Sequence, residues 1–77
     1  MRPVGEVVRA AQGLAIVRLP DEAHPDLGAR VIDADLESVG QVVDVFGPVD
    51  RPFVAVTPDD GQNPASLIGS RLYERAD

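Results

Sequence analysis

The sequence of residues 40–58 reads GQVVDVFGPVDRPFVAVTP and holds the two most strand-like runs of the chain, residues 42–46 and 53–57. Both runs are rich in β-branched and aromatic residues, which favour strands. Residues 47–52, which we name the connector, lie between them and include two prolines. Each proline fixes its own φ and biases the preceding residue toward extended geometry, so the connector has few conformations to lose on binding. The pattern therefore predicts a β-hairpin whose stiff connector is preorganised for a partner.

Further short runs outside this hairpin also have strand-like composition, and the first two flank the turn signal Gln12-Gly13,. The chain shows no amphipathic helical pattern. The sequence therefore predicts an all-β fold, a small six-stranded closed antiparallel β-barrel, because closure removes sheet edges that so small a protein cannot otherwise cover,. The strands expected besides 53–57 are residues 4–8, 14–18 and 30–33, a fourth that begins at Val39, and a last one formed by 67–68 with 71–73.

Two glycines stand at the starts of predicted strands, and each opens a similar tetrapeptide. Gly5 begins GEVV and Gly40 begins GQVV. Glycine at such positions suits the sharp bending that barrel closure requires. Because two tetrapeptides are too short to indicate a repeat protein, we interpret the similarity as two solutions to the same strand-bending problem.

The length of 77 residues predicts a single domain over 1–77 with a frayed C-terminal tail,. There is no cysteine, so neither a disulfide nor a thiolate ligand is available,. Nothing resembles a signal peptide, and no apolar run approaches the length of a membrane span. We therefore expect a soluble, cytoplasmic protein that does not associate with membranes.

The charged residues are thirteen acids and seven arginines with no lysine, which gives a net charge of −6. One interpretation is repulsion from nucleic acid, since binding phosphate requires clustered Lys or Arg. The other is adaptation to a salty cytoplasm, because lysine depletion with excess aspartate resembles proteins of halophilic archaea. Under either interpretation, direct RNA binding by this chain alone is expected to be weak.

Candidate catalytic and metal-ligating residues are sparse. His24 is the only histidine and lies in a polar loop, so neither a zinc site nor histidine-assisted nucleophilic catalysis is supported,. Asp33 and Asp35 are two residues apart and would share a face if the strand continued, where they could clasp a divalent cation or act as acid and base in a small hydrolase. The alternative is that they solvate a turn. Asp59-Asp60-Gly61 lacks the spacing of a calcium loop. We expect a protein that is not an enzyme and has no cofactor or metal.

The fourth strand has apolar residues on both of its expected faces, so one set should remain exposed in a barrel. Together with Val49, Pro52 and Phe53, that set would form an apolar patch, which on a small protein usually marks a partner site. The alternative is that the connector folds over the patch and hides it. Strict alternation places Val39, Gln41, Val43 and Val45 on one face and Gly40, Val42, Asp44 and Phe46 on the other.

Asp44 interrupts an otherwise apolar run in this strand. A carboxylate in that place must be exposed, paired or hydrogen-bonded to backbone. It either accepts backbone N–H groups of the connector and so fixes it, or simply alternates toward solvent.

Several segments together resemble the core domain of the glycine-arginine-rich (GAR) protein family, whose members are small subunits of box H/ACA ribonucleoproteins. The resemblance covers nearly the whole chain, and its most specific part is Phe-Gly-Pro-Val followed closely by Pro, an aromatic residue and alternating Val. The arginine-glycine-rich tails of eukaryotic members are missing, so the chain is similar to an archaeal form. The matching segments are residues 25–33, 39–42, 44–49 and 52–56, with weaker matches at 5–7 and 69–73.

This resemblance implies a six-stranded β-barrel that is a non-catalytic subunit of the RNA-guided pseudouridylation particle and so serves rRNA modification. It implies docking on the catalytic domain of the dyskerin-type pseudouridine synthase, where the subunit engages a mobile thumb loop and aids substrate RNA loading and product release. Guide RNA and substrate RNA would be reached indirectly, through other components of the particle. The candidate partner-binding positions are Phe46, Gly47, Pro48, Val49, Pro52 and Phe53.

Two alternatives stay open at the level of sequence. Residues 31–44 also fit a PRC-barrel-like interaction or RNA-maturation domain, although the Phe46-Gly47-Pro48 segment does not. Assembly chaperones related to the GAR family share the same barrel. Whether the connector touches a partner or only shapes the barrel is not determined by the resemblance.

Overall fold

Six antiparallel strands close on themselves in the computed structural model, which describes residues 2–75. Around the barrel the strands follow the order β1-β2-β5-β4-β3-β6, with β6 pairing back to β1. The predicted six-stranded closed antiparallel barrel is therefore confirmed. The frayed tail was predicted to follow Tyr73, and this is wrong for its first two residues, because Glu74 belongs to β6 and the Arg75 N–H donates to the Arg30 oxygen at 3.2 Å. The rest of the predicted tail, residues 76–77, lies outside the described part of the chain. The elements are β1 Arg2–Ala11, β2 Leu14–Arg18, β3 Arg30–Ile32, β4 Ser38–Phe46, β5 Phe53–Pro58, a 3₁₀ turn Pro64–Leu67 and β6 Arg71–Glu74.

The predicted last strand is correct only in its second half. Leu67 lies in the 3₁₀ turn rather than in a strand, and Ile68 follows that turn. The cause is local: the Asn63 side chain accepts the N–H of Ala65 at 3.0 Å, and Pro64 occupies the first position of the turn. An asparagine cap followed by proline is a helix-start signal, and here it outweighs the strand propensity of the apolar residues.

The barrel interior is built mainly from valine. The β-branched side chain packs well between strands, and a small barrel has room for little that is larger. Within residues 2–75 no polar or charged side chain is buried, and no helix is long and apolar enough to cross a membrane. The fully buried side chains are Val7, Val17, Leu19, Val31, Val39, Val42, Val54, Val56 and Leu72.

The faces of β4 do not alternate as the sequence predicted. Its inward-facing valines are Val39, Val42 and Val45, spaced by three residues rather than two. Val43, which strict alternation placed with Val39, is 44% exposed, and Phe46 is also exposed. The prediction that residues 39, 41, 43 and 45 share one face is therefore wrong for Gln41 and Val43, which are exposed. Gly40 and Val42, predicted on the opposite face, are buried instead.

Two irregularities in strand pairing explain the spacing of three. In the pairing with β3, the consecutive residues Val31 and Ile32 pair with Gly40 and Ser38, so Val39 is an extra residue of β4. On the side of β5, pairing steps from Val42 to Asp44, which leaves Val43 as an extra residue. Each β-bulge shifts the alternation by one and increases the local twist, which helps a six-stranded sheet to close,.

The same two irregularities occur in β1. Pairing with β6 steps from Pro3 to Gly5, and pairing with β2 steps from Val7 to Arg9. The two similar tetrapeptides thus occupy equivalent places, since a Cβ on Gly5 would lie 2.2 Å from the Arg18 carbonyl oxygen and one on Gly40 would lie 2.1 Å from that of Thr57. The strand-bending interpretation of these glycines is supported, because only glycine permits so close an approach of backbones.

The equivalence extends to the whole topology. The units β1-β2-β3 and β4-β5-β6 form two similar halves, in which β3 pairs with β4 of the other half and β6 pairs with β1. The barrel therefore has internal pseudo-two-fold symmetry, in which the third strand of each half pairs with the first strand of the other half. The connector joins β4 to β5 and corresponds in this arrangement to the tight turn Gln12-Gly13 between β1 and β2.

Candidate functional site

The connector begins and ends at a pair of stacked phenylalanines. Phe46 and Phe53 are directly paired across β4 and β5, and their ring centroids lie 5.8 Å apart with planes inclined by 22°. Such a ring pair contributes about 0.5–1.5 kcal/mol beyond the area that it buries. Gly47 follows with φ of 92°, and a Cβ on it would lie 3.0 Å from the Phe53 ring. Glycine is therefore required at residue 47 by both the backbone and the neighbouring ring.

The rest of the connector is held by backbone hydrogen bonds. The Arg51 N–H donates to the Pro48 oxygen at 3.2 Å, which closes a turn within the connector. At its end, the Pro52 oxygen accepts the N–H of Leu19 at 3.2 Å. The Arg51 Nε–H also donates to the Leu19 oxygen at 3.4 Å. These bonds fasten the connector to the segment that follows β2, so its prolines lie in a fixed frame.

The six predicted partner-binding residues lie together at this end of the barrel but differ in exposure. Val49 is 89% exposed and Phe46 is 37% exposed, while Gly47 and Pro48 are also on the surface. Phe53 is half-buried beneath Phe46, and Pro52 is buried. The connector thus does not fold over the apolar surface; it presents Val49 at its tip. The geometry makes the first four residues available for contact, whereas Pro52 and Phe53 support them.

Sequence reasoning did not include the loop between β2 and β3 in this surface. An open groove of ≈ 360 Å³ beside the connector is lined by connector residues, by Val45 and, from the loop, by Glu22 and His24. His24 is exposed, as predicted, and its Nδ1 lies 3.0 Å from the Pro25 oxygen. The loop has no periodicity in the sequence, so only its tertiary hydrogen bonds reveal its place.

Those hydrogen bonds fasten the loop to the bulge of β4. The Gly28 N–H donates to the Val42 oxygen at 2.8 Å, and the Val42 N–H donates to the Ala29 oxygen at 2.9 Å. The adjoining Leu27 is 65% exposed. The loop is therefore fixed beside β4, and both it and the bulge carry an exposed apolar side chain, Leu27 and Val43.

The two aspartates considered for metal binding or catalysis stabilise a turn. One carboxylate oxygen of Asp33 accepts the N–H groups of Asp35 at 2.8 Å and of Glu37 at 3.0 Å. Within residues 2–75 no group of three His, Cys, Asp or Glu side chains is placed to hold a metal ion. The geometry thus favours the turn interpretation of this pair.

Asp44 faces solvent at the bulge of β4. It is exposed, and its carboxylate accepts the N–H of the following Val45 at 2.8 Å. This supports the solvent alternative, since the bond serves the bulge and the connector is held by other groups.

A polar cluster fastens the opposite end of the β4–β5 hairpin. Arg30 of β3 forms an ion pair with Asp59 at 2.8 Å and donates to the Ser38 hydroxyl at 2.7 Å. The Ser38 hydroxyl in turn donates to Asp59. The hydrogen bond from Ser38, followed by that from Arg30, holds the pKa of Asp59 below its usual value. The cluster joins β3, β4 and the end of β5, and it lies far from the connector.

Comparisons with known proteins show the family of this chain. Residues 1–76 match the family model described as Gar1/Naf1 RNA binding region. A protein of Methanothermobacter thermautotrophicus that is described as uncharacterized is 29% identical over 76 residues, which cover 95% of this chain and 82% of that protein. The H/ACA ribonucleoprotein complex subunit GAR1 of Encephalitozoon cuniculi is 30% identical over 74 residues, which cover 96% of this chain but 40% of that protein.

Proposed function

Because this chain belongs to the Gar1/Naf1 RNA binding region family, we propose that it is a non-catalytic subunit of a box H/ACA ribonucleoprotein. In this role it binds the pseudouridine synthase subunit of the particle and aids the loading of substrate RNA and the release of product. The proposal draws on the family match across residues 1–76 and on the GAR1 relative, of whose length this chain spans 40%. Contacts made by the rest of that relative do not transfer to this chain.

The observation that carries the protein-binding part of the proposal is the connector tip. Val49 is 89% exposed on a segment whose backbone is fixed by prolines and hydrogen bonds. Burying an exposed valine side chain contributes about 1.5–3 kcal/mol, and a preorganised segment loses little conformational entropy when it is buried. Together with Phe46 and Pro48, the tip offers a rigid apolar projection to an apolar recess in the synthase.

A rigid barrel of this kind can act on the synthase by holding one of its mobile segments. A ligand shifts a conformational equilibrium only by its differential affinity for the two conformations. A mobile segment of the synthase can take a position that admits RNA or a closed position. If the connector binds the first position more tightly than the second, loading of RNA and release of product are both accelerated. The barrel needs no reactive group for this.

The proposal is tested with the Val49→Asp variant. We mix each variant with the synthase subunit from the same organism and follow complex formation by size-exclusion chromatography at low and high salt. The unmodified chain is expected to form a stable stoichiometric complex. Val49→Asp is expected to weaken it at least about tenfold, since a charge would replace about 1.5–3 kcal/mol of apolar burial.

Leu36→Asp is the matched control, because Leu36 is 66% exposed in the turn between β3 and β4, at the far end of the hairpin. Its φ of 66° is one that aspartate tolerates well,. This variant should bind as the unmodified chain does. Absence of any complex with the unmodified chain at every salt concentration would refute the proposed partner, and equal losses in both variants would refute the role of the connector.

The family description names two kinds of protein, Gar1 and Naf1, and the assembly-chaperone alternative therefore needs its own test. A particle subunit is expected to co-purify with guide RNA and to raise the turnover of the reconstituted particle. A chain that binds the synthase but is absent from active particles would instead be an assembly factor.

A further inference from the structure

A second concave surface lies on the other side of the connector and is lined by three of the seven arginines of the chain. These are Arg18, Arg51 and Arg71, with Glu6 as the one acidic residue among the lining residues. The concavity has a volume of ≈ 220 Å³, and we name it the arginine groove. Three arginines with one carboxylate form a local positive site on a chain whose net charge is −6.

Strand register places the groove residues in a row. Glu6 of β1 is paired with Arg71 of β6 on one side and with Arg18 of β2 on the other. Side chains of directly paired residues lie on the same face of a sheet, and all three are exposed,. Because neighbouring strands are about 4.8 Å apart, the backbones of the two arginines are about 10 Å apart. One short oligonucleotide can therefore contact both.

The row continues into the stacked aromatic pair. Arg18 is paired with Phe53 of β5, and Phe53 is paired with Phe46 of β4. Arg51 enters the same groove from the connector, where its Nε–H donates to the Leu19 oxygen. Positive side chains and a partly exposed aromatic ring thus follow one another around the outside of the barrel.

The groove arginines form no ion pair within the described part of the chain. In the described part of the chain, the ion pairs are Arg2 with Glu74 and Arg30 with Asp59, both outside the groove. Over the same residues, Arg18 and Arg71 form no salt bridge with Glu6, although they flank it in the sheet. Their guanidinium groups are therefore available to an external anion.

We infer that the arginine groove binds the phosphate backbone of single-stranded RNA. The inference rests on the proposed function, which places the chain in an RNA-guided particle. Guanidinium groups bind phosphate oxygens through paired hydrogen bonds, and a concave positive site concentrates the field. Phe53, which is half-buried and paired with Arg18, offers part of a ring on which a base can stack, as single-strand binding sites commonly do,. The sequence predicted weak RNA binding because the net charge of the chain is negative. Net charge does not describe the local electrostatic potential at the groove, where three arginines lie together.

The position of the groove relates it to protein docking. The connector contributes Arg51 to the arginine groove and Val49 to the proposed docking tip. An RNA strand in the groove would therefore pass along the margin of a protein bound at the tip. In this arrangement the subunit assists loading by contacting the same RNA that the synthase receives.

The test measures binding of a fluorescein-labelled single-stranded oligouridylate to the unmodified chain by fluorescence anisotropy at several salt concentrations. Three phosphate contacts predict a slope of about −2 for log K against log salt concentration. The variant Arg18→Ala/Arg71→Ala is expected to bind at least about tenfold more weakly and to lose more than half of that slope. The control Arg2→Ala/Arg9→Ala removes the same charge from β1 outside the groove, and it is expected to bind within about twofold of the unmodified chain.

Three results would overturn the inference: no binding of oligouridylate at low salt, an equal loss in the control, or competition by polyglutamate as effective as that by unlabelled oligouridylate. The last result would assign the groove to an acidic protein segment. The same double variant is expected to retain the complex with the synthase. If the synthase complex forms but RNA binding is absent, only the groove assignment fails; if no synthase complex forms with the unmodified chain, the proposed function fails.

Discussion

Gly40 and Gly61 differ in the space that surrounds them. A Cβ on Gly40 would lie 2.1 Å from the carbonyl oxygen of Thr57, which belongs to a paired strand and cannot move without shifting the sheet. Gly61 lies in the turn after β5 with φ of 87°, and nothing lies within 4 Å of a Cβ placed there. The two positions therefore separate the cost of a steric clash from the cost of backbone strain.

We expect Gly40→Ala to lower the free energy of unfolding by about 2–3 kcal/mol, since overpacking against rigid backbone is costly. Gly61→Ala should lower it by about 1 kcal/mol, the cost of a left-handed conformation in a residue that has a Cβ. Urea denaturation of both variants beside the unmodified chain measures the difference. Equal losses would show that closeness to the Thr57 carbonyl is not the reason for glycine at residue 40.

At the level of elements, the sequence predicted what local chemistry determines. The β4–β5 hairpin and β2 are bounded by Gly and Pro, so their ends could be placed from composition,. The bulges at Val39 and Val43 could not be predicted, because a residue is extra only relative to the strand with which it pairs,. Assigning faces by strict alternation assumes that a strand has no such residue. The Glu22 and His24 side of the groove was missed for the same reason, since tertiary bonds to Val42 position that loop.

The Arg30–Ser38–Asp59 cluster predicts a pH dependence of stability. The pKa of Asp59 is lowered in the folded protein, mainly by the hydrogen bond from Ser38 and then by that from Arg30. A carboxyl with a depressed folded-state pKa contributes stability above its unfolded pKa of about 4 and loses it as the pH falls through the folded-state value. The contribution is therefore complete at neutral pH and disappears in acid.

We expect Asp59→Asn to be less stable than the unmodified chain at pH 7 and to approach it as the pH is lowered below about 4. The measurement is the urea midpoint at a series of pH values. Asp60→Asn is the control, because the neighbouring Asp60 makes no hydrogen bond to Ser38 or Arg30 in the described residues. If the curves of Asp59→Asn and the unmodified chain stay parallel down to acid, the cluster does not couple Asp59 to folding.

For the whole molecule, the pseudo-two-fold barrel explains why both proposed sites include residues of the connector. Its halves share their bulges and close glycines, yet one carries the tight turn Gln12-Gly13 where the other carries the six-residue connector 47–52. The arginine groove is assembled from β2, the connector and β6, residues far apart in the sequence. Composition alone therefore indicated an acidic surface, and only closure of the barrel brings its cations together.

The same closure makes the chain suitable for circular permutation. Arg2 and Glu74 are paired at the ends of β1 and β6, so a short linker can join the original termini without crossing the barrel. One permutant opens the chain in the turn between β3 and β4, at residues 35–36, and the other opens it inside the connector, at residues 49–50. Apart from the linker, both keep every side chain of the original sequence.

Both permutants are expected to fold, with circular dichroism spectra like that of the unmodified chain, because each break lies outside the strands,. The permutant opened at 35–36 should bind the synthase subunit with unchanged affinity. The permutant opened at 49–50 should bind at least about tenfold more weakly, since ordering each freed backbone residue costs about 1–2 kcal/mol. Isothermal titration calorimetry compares the two directly. Equal affinities in two folded permutants would show that the composition of the connector suffices and that its rigid frame, on which the docking proposal depends, contributes nothing.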